Sequence, residues 1–245
     1  MPARCEINRP REKSKGGNAI LEFALVLSFL VAMLAGAFTM GITVARGIQA
    51  SNVTRDALVL LVRSVTDPDS GLDLSQTQNQ RIIVRAAQNF NMASDASYDP
   101  SSTGGGVVIL SKVILVGPNT CALGIVPAPS GVPNSTPPNY GWTTGNCPNY
   151  GSYVFAYRIV IGNGTRWSSA LGNPGTGTVQ SNGTITNTNI ASTGSDQVGN
   201  FLGVTGMTSL SLDSYALVSE MYADITNLNF FSILRNPIIY SRNIS

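Results

Sequence analysis

Asn18-Ala-Ile-Leu-Glu22-Phe-Ala-Leu-Val-Leu-Ser28-Phe-Leu-Val-Ala-Met-Leu-Ala-Gly-Ala-Phe-Thr-Met-Gly-Ile-Thr-Val-Ala45 is a run of 28 residues in which Glu22 is the one ionisable side chain. As an α-helix it extends about 42 Å at ~1.5 Å per residue, more than the ~30 Å hydrocarbon core of a bilayer. A core helix of a soluble domain is usually shorter and keeps a polar stripe, whereas the stretch from Phe23 to Phe38 is apolar on every face. The run is read as a transmembrane helix over 18–45. Arg4, Arg9, Arg11, Lys13 and Lys15 lie just before it, beside only Glu6 and Glu12. Such basic flanks stay in the cytoplasm, so the N-terminus is expected inside and the chain after Arg46 outside. A cleaved secretory signal would have an apolar core about half as long, ending at a small-residue cleavage site.

Composition agrees with a membrane or exported protein. Of 245 residues, 43% are hydrophobic and only 11% charged, and the formal net charge is +2. The chain has no His, which removes His-based triads and most zinc sites. Beyond residue 17 there are 10 basic against 11 acidic residues, and Lys112 is the one Lys, so no basic face is available to a nucleic acid. Asp95, Asp99, Asp196, Asp213, Glu220 and Asp224 are carboxylates beyond the helix, but no spacing singles out a pair. There is no GxSxG, phosphate-binding loop or metal motif either. The reading is therefore not an enzyme, with no catalytic residue, metal or cofactor expected.

The string Lys15-Gly16-Gly17-Asn18-Ala19-Ile20-Leu21-Glu22-Phe23 resembles the processing site of type IV pilin-like precursors. More narrowly, the residues from Gly17 to Leu27 resemble the opening of the TadE family, minor pilins or pseudopilins of the tight-adherence (Flp-type) system. Ile48-Gln-Ala-Ser-Asn-Val-Thr-Arg-Asp-Ala57 is similar to the segment that follows the membrane helix in that family. The resemblance covers residues 15 to 66 well and the rest in outline. It implies a cytoplasmic basic leader over 1–17, cut after Gly17 by a prepilin peptidase, with Gly16, Gly17 and Asn18 as the processing site. It also implies a bacterial inner-membrane subunit that is incorporated in an extracellular pilus or secretion filament. Its partners would be the membrane, other pilin or pseudopilin subunits, the peptidase and assembly platform proteins. Glu22, with Phe23 beside it, would set the register of assembly by pairing with the new α-ammonium group of a neighbouring subunit. A carboxylate at hydrocarbon depth is costly without such a partner, although Glu22 is only four residues into the span and could also reach interfacial water. Ser28 stands near where family members often carry a helix-bending Pro, and Asn18 where major pilins have Phe or Met. Neither a kink nor N-methylation is carried over.

Helical periodicity continues past Arg46, with Ala50, Val53, Ala57, Leu58, Leu61 and Val65 on one face, and predicts an amphipathic stalk helix over 46–66. Asp67-Pro68-Asp69-Ser70-Gly71 ends it. A second helix is expected from Ser75 to about Phe90, opened by Ser75-Gln-Thr-Gln78 at capping-box spacing. Strands are expected over 107–116, 153–161 and 210–225, with a weaker one over 237–241. Helices followed by strands imply an α+β fold, an antiparallel sheet packed on the long helix; pilin-like proteins resemble this plan. Tyr215, Glu220, Tyr222 and Arg235 lie in a stretch that looks like the C-terminal part of the TadE family.

The exported α+β domain over 67–245 is expected to carry long loops at about 118–150 and 172–200. With Cys5 in the leader, cleavage leaves Cys121 and Cys147, expected to form a disulfide in an oxidising compartment; two buried thiols are the alternative. Of the 29 residues from Gly172 to Asn200, 20 are Gly, Asn, Thr or Ser, so this segment reads as a mobile insertion or an exposed recognition loop. Tyr140, Trp142, Tyr150 and Trp167 could stack on a sugar or a surface ligand, although aromatics among turns more often fill small cores. Asn134, Asn163 and Asn182 match glycosylation acceptors, and no modification is predicted from so common a pattern. The alternative function is an unprocessed, single-span membrane-anchored binding or adhesion module.

Overall fold

The computed structural model describes residues 16–66, 72–93, 97–101, 104–124, 142–224 and 238–245. The basic leader through Lys15, the Asp67-to-Gly71 stop, Asp95, Asn134, Tyr140 and Arg235 lie outside them. The chain divides into two compact units, Met1–Val44 and Ala45–Ser245. Helix α1 (Gly16–Thr66) contributes residues to both.

In the first unit the helix is apolar apart from Glu22 and a few hydroxyls, and it is uncovered. Its most apolar stretch has a mean hydropathy of 2.3 and none of it is buried. It is long and apolar enough to cross a membrane, which supports a single-pass membrane anchor. The few hydroxyls in it are spent on the helix's own carbonyls. Ser28 Oγ donates to Leu25 O at 2.9 Å, and Thr39 Oγ1 lies 3.0 Å from Ala35 O and 2.8 Å from Gly36 O. Thr43 Oγ1 donates to Thr39 O at 2.8 Å. Self-satisfied hydroxyls cost little in hydrocarbon, which is why these side chains do not break the apolar character of the run.

In the second unit α1 turns amphipathic, as its periodicity predicts, and buries Ala50, Val53, Ala57, Leu58 and Leu61. Helix α2 (Thr77–Ala86) follows, then a 3-10 turn over Gln88–Phe90. The expected capping box does not form. Gln76 is the N-cap and makes no side-chain cap, because the Ser75 hydroxyl is taken by Asp73 Oδ2 at 2.7 Å while Ser75 N donates to Asp73 Oδ1 at 2.8 Å. Asp73 thus closes its own tight turn ahead of the helix.

Strands β1 (Gly106–Leu115), β2 (Tyr153–Gly162), β3 (Tyr215–Asp224) and β4 (Ile238–Ile244) form one antiparallel sheet in the order β2-β1-β3-β4. The fold is α+β. Residues directly opposite one another share a face, and the register assigns the two faces. On one, Val108 pairs with Ile161 and Met221, and Met221 with Ser241. This face receives α1: Thr54 Oγ1 and Ser241 Oγ are 3.0 Å apart, and Asn243 Nδ2 donates to Thr54 Oγ1 at 2.6 Å and to Ser51 O at 3.2 Å. Buried Thr54 is therefore the polar pin between helix and edge strand.

The other face is covered by the excursion between β2 and β3 together with helix α3 (Pro118–Gly124). Here the structure corrects the expectation of a mobile insertion over 172–200. That segment carries helices α4 (Asn187–Ser192) and a 3-10 turn at Gly194–Asp196, with α5 (Phe201–Thr205) just beyond. It buries Ile185, Ile190, Val198 and Phe201 in a core with Val113, Phe155 and Val218. Its backbone also runs along the outer edge of β2, with Arg158 N donating to Gly183 O at 2.7 Å, Ile185 N to Ala156 O at 3.0 Å and Val198 N to Tyr153 O at 2.7 Å. A segment too polar to fold alone is ordered here because a free strand edge offers it backbone partners. Gly183 sits at φ +84° in the turn that brings it there, where a Cβ would lie 2.7 Å from Ile159 Cγ1. Cys121 and Cys147 form a disulfide with a Cα–Cα distance of 5.9 Å, joining α3 to the segment around 142–149.

Candidate binding cleft

A cleft of about 930 Å³ opens at the end of the second unit where α1 stops. Ser64 from the last turn of α1 and Asp73 and Gln76 from the approach to α2 form one wall. Lys112 and Ile114 of β1 and Tyr157 of β2 form the floor, and the edge-capping segment around Asn182 to Ile190 forms the far wall. A β-bulge shapes this floor. Lys112 pairs with Tyr157 and Val113 with Phe155, so Ala156 is the extra residue in β2, and the local bend turns a small side chain toward the opening.

Two groups on the floor are electrostatically unsettled. Lys112 has its Nζ 4.2 Å from the centroid of the Tyr215 ring, and among the described residues no carboxylate pairs with it. Burial holds its ammonium below the ordinary Lys range. Tyr157 is 7% exposed, and its hydroxyl has no hydrogen-bond partner among the described residues. Burial, and after it the Asp73 carboxylate, push its pKa up to about 12. The Ser64 hydroxyl pulls the other way without reaching hydrogen-bond geometry. Stranding a buried phenol costs roughly 1–3 kcal/mol unless something in the cleft accepts or donates a hydrogen bond.

On the opposite sheet face, Glu220 and Arg158 organise a polar cluster. The Glu220 carboxylate accepts from the Ser169 hydroxyl, from Ala170 N at 3.1 Å and from Tyr240 Oη at 3.1 Å, with Tyr222 Oη at 3.4 Å. Arg158 donates to Ser111 Oγ at 2.8 Å, Gly172 O at 3.0 Å and Asn173 Oδ1 at 3.1 Å. Burial draws the Arg158 guanidinium down to about 10, opposed by Glu220 nearby, so it stays cationic at neutral pH. Trp167 stacks on Tyr222 at 6.0 Å and Tyr222 on Tyr240 at 4.7 Å. With every oxygen of Glu220 occupied, this cluster ties the excursion to the sheet.

The other residues singled out by sequence fall in separate places. Gly16, Gly17 and Asn18 are in the first turn of α1, and Glu22 and Phe23 follow on it, both exposed. Trp142 is buried, 4% exposed, and Tyr150 packs against the same core, so these two fill a core as aromatics among turns more often do. The remaining carboxylates are structural rather than convergent. Asp213 accepts from Gly117 N, Asn119 N and Thr120 N and so caps α3; Asp196 accepts from Gly175 N and Thr178 Oγ1; Asp224 pairs with Arg166. Asp99 is exposed, and its bonds to Ser101 N and then the Ser101 hydroxyl hold its carboxyl below the usual range. Among the described residues no group of three or more Cys, Asp or Glu is placed to hold a metal ion.

The fold and site define a single-span membrane-anchored protein with a disulfide-bearing β-sheet domain. No protein-family model matches the chain, and no curated protein or solved structure matches it either.

Proposed function

We propose that the protein is a single-span membrane-anchored binding module that holds its α+β domain outside the cytoplasmic membrane. The observation that carries this reading is that an uncovered apolar helix leads into a domain whose cleft, among the described residues, leaves a cation without a carboxylate and a buried hydroxyl without a hydrogen bond. The basic head before the helix and the Cys121–Cys147 bridge support the outward orientation, since disulfides persist in oxidising compartments. The test is Thr165→Cys, at an exposed position, probed with a membrane-impermeant maleimide on spheroplasts. Labelling of intact spheroplasts, with the protein resisting alkaline carbonate extraction, is the expected result; labelling only after lysis would overturn the orientation.

A second reading, a processed pilin-like subunit of a tight-adherence pilus or secretion filament, is favoured by Glu22. Its carboxylate is exposed on an otherwise apolar helix, five residues after Gly17, and has no ion-pair partner among the described residues. It is thus available to the α-ammonium group that cleavage after Gly17 would create on a neighbouring subunit. N-terminal sequencing with the prepilin peptidase present and absent separates the two readings. A start at Asn18 only in its presence favours the subunit, and Glu22→Ala should then allow processing but block assembly. A start at Met1 or Pro2 in both cases leaves the binding module.

A further inference from the structure

The cleft's chemistry narrows what it can hold. Among the described lining residues Lys112 is the one cation; it lies on the floor, partly desolvated and held only over the Tyr215 ring, so an anion there would meet an ammonium with no competing carboxylate among the described residues. Asp73 on the facing wall disfavours two negative groups on one ligand unit, as in a pyrophosphate, because the second would meet a carboxylate. A single carboxylate per ligand unit fits this arrangement better.

Around that cation the wall is neutral and rich in hydrogen-bonding groups. The side-chain amides of Gln76 and Asn187 make no hydrogen bond among the described residues, and Asn182 uses only its Oδ1, toward Thr184. The buried Tyr157 hydroxyl adds an unsatisfied group of the same kind. Ile114 and the exposed Leu123 supply a small apolar strip beside them. Amides and hydroxyls around a small apolar strip match a sugar ring, with its many hydroxyls and its C–H face. An extended peptide would instead seek a free strand edge, and the outer edge of β2 is already taken by backbone bonds from Gly183, Ile185 and Val198.

We propose that the cleft binds a carboxylated sugar chain, an oligosaccharide of the uronic acid type, with its carboxylate on Lys112 Nζ and ring hydroxyls on Tyr157 and the amides of Gln76, Asn182 and Asn187. This inference rests on the binding-module reading and names its ligand class.

The test uses the full chain in detergent micelles and fluorescently end-labelled tetragalacturonate, followed by anisotropy. The same oligosaccharide with its carboxylates methyl-esterified, and tetraglutamate, are the comparison probes. The acid form should bind saturably and at least about tenfold more tightly than the ester, the scale of one charge-assisted hydrogen bond. Lys112→Gln should bring the acid down to the level of the ester and leave the ester unchanged. Tyr157→Phe should weaken both sugars about threefold or more while the acid preference persists, which keeps the test valid if the lysine variant folds poorly. Absence of binding, equal binding of acid and ester by the unaltered protein, or binding unaffected by Lys112→Gln would overturn the proposal. Tighter, Lys112-dependent binding of tetraglutamate would also overturn the sugar assignment but leave the binding module standing. The module reading itself fails in the spheroplast labelling or the N-terminal sequencing and not in the sugar titration, so the two failures are distinguishable.

Discussion

Opening the disulfide gives the most quantitative check on how the second unit is held together. Cys121 and Cys147 are 26 positions apart and both fully buried. On the chain-entropy relation, closing a loop of that size restricts the unfolded chain by about 3.5 kcal/mol at 25 °C. The bridge also has a local task. It holds α3 against the segment whose Asn149 amide donates to Ile190 O at 2.9 Å and to Thr193 O at 3.1 Å, so the covering layer is tied to the sheet through α4. Cys121→Ala with Cys147→Ala removes the cross-link without placing a polar atom in the core. For a domain of about this size each kcal/mol moves Tm by roughly 2–4 °C, so the double variant should melt about 7–14 °C lower. Trp142 is buried in the same cluster, and its fluorescence reports the event without interference from α1, whose helicity persists in detergent. Reductant should lower the Tm of the unaltered protein by a similar amount and leave the double variant where it is. A shift below about 2 °C, or an equal response of the double variant to reductant, would refute the reasoning.

Glu220→Ala strands the Ser169, Ala170 and Tyr240 donors in a buried site and leaves Arg158 without its nearby carboxylate, so it should cost about 3–5 kcal/mol in chemical denaturation, and Glu220→Gln markedly less. Phenolate absorbance should show tyrosines that ionise late, since Tyr157 and Tyr240 are both pushed up to about 12, by burial first. The sign follows from linkage: the unfolded chain loses these protons near pH 10 and the folded one only near 12, so their contribution is complete below pH 10 and is lost as pH rises toward 12. Tyr157→Phe should remove one late-titrating group from the trace. Val31→Arg, in the uncovered part of α1, should raise the cost of membrane insertion by about 2.5–3.5 kcal/mol and release protein into the carbonate-soluble fraction.

Periodicity made the skeleton legible. The run from Asn18, the stripe through Leu61 and the four strands all announce themselves because each element buries side chains at its own regular spacing. The covering layer was not legible for the same reason. Ile185, Ile190 and Val198 are isolated among Gly, Asn, Thr and Ser, and no local period links them. What orders them is the unpaired edge of β2, a partner far away in sequence. Trp142 follows the commoner fate of aromatics among turns: the bridge to Cys121 draws its segment into the core.

The cleft was half announced. Lys112, with Ser111 before it, interrupts the otherwise apolar Val107-to-Val116 run, and an ammonium there is a departure that needs a reason. The pattern does not reveal the bulge at Lys112/Val113, which depends on β2 having one residue more than β1 across the same span. That extra residue is Ala156, and its small side chain leaves the floor open between Lys112 and the edge-capping segment. A larger residue there would fill the opening without touching the strand pairing on either side, so the space above Lys112 depends on one alanine. The fold therefore holds a half-buried cation beside a buried phenol, and it keeps the volume above them free where one added side chain would close it.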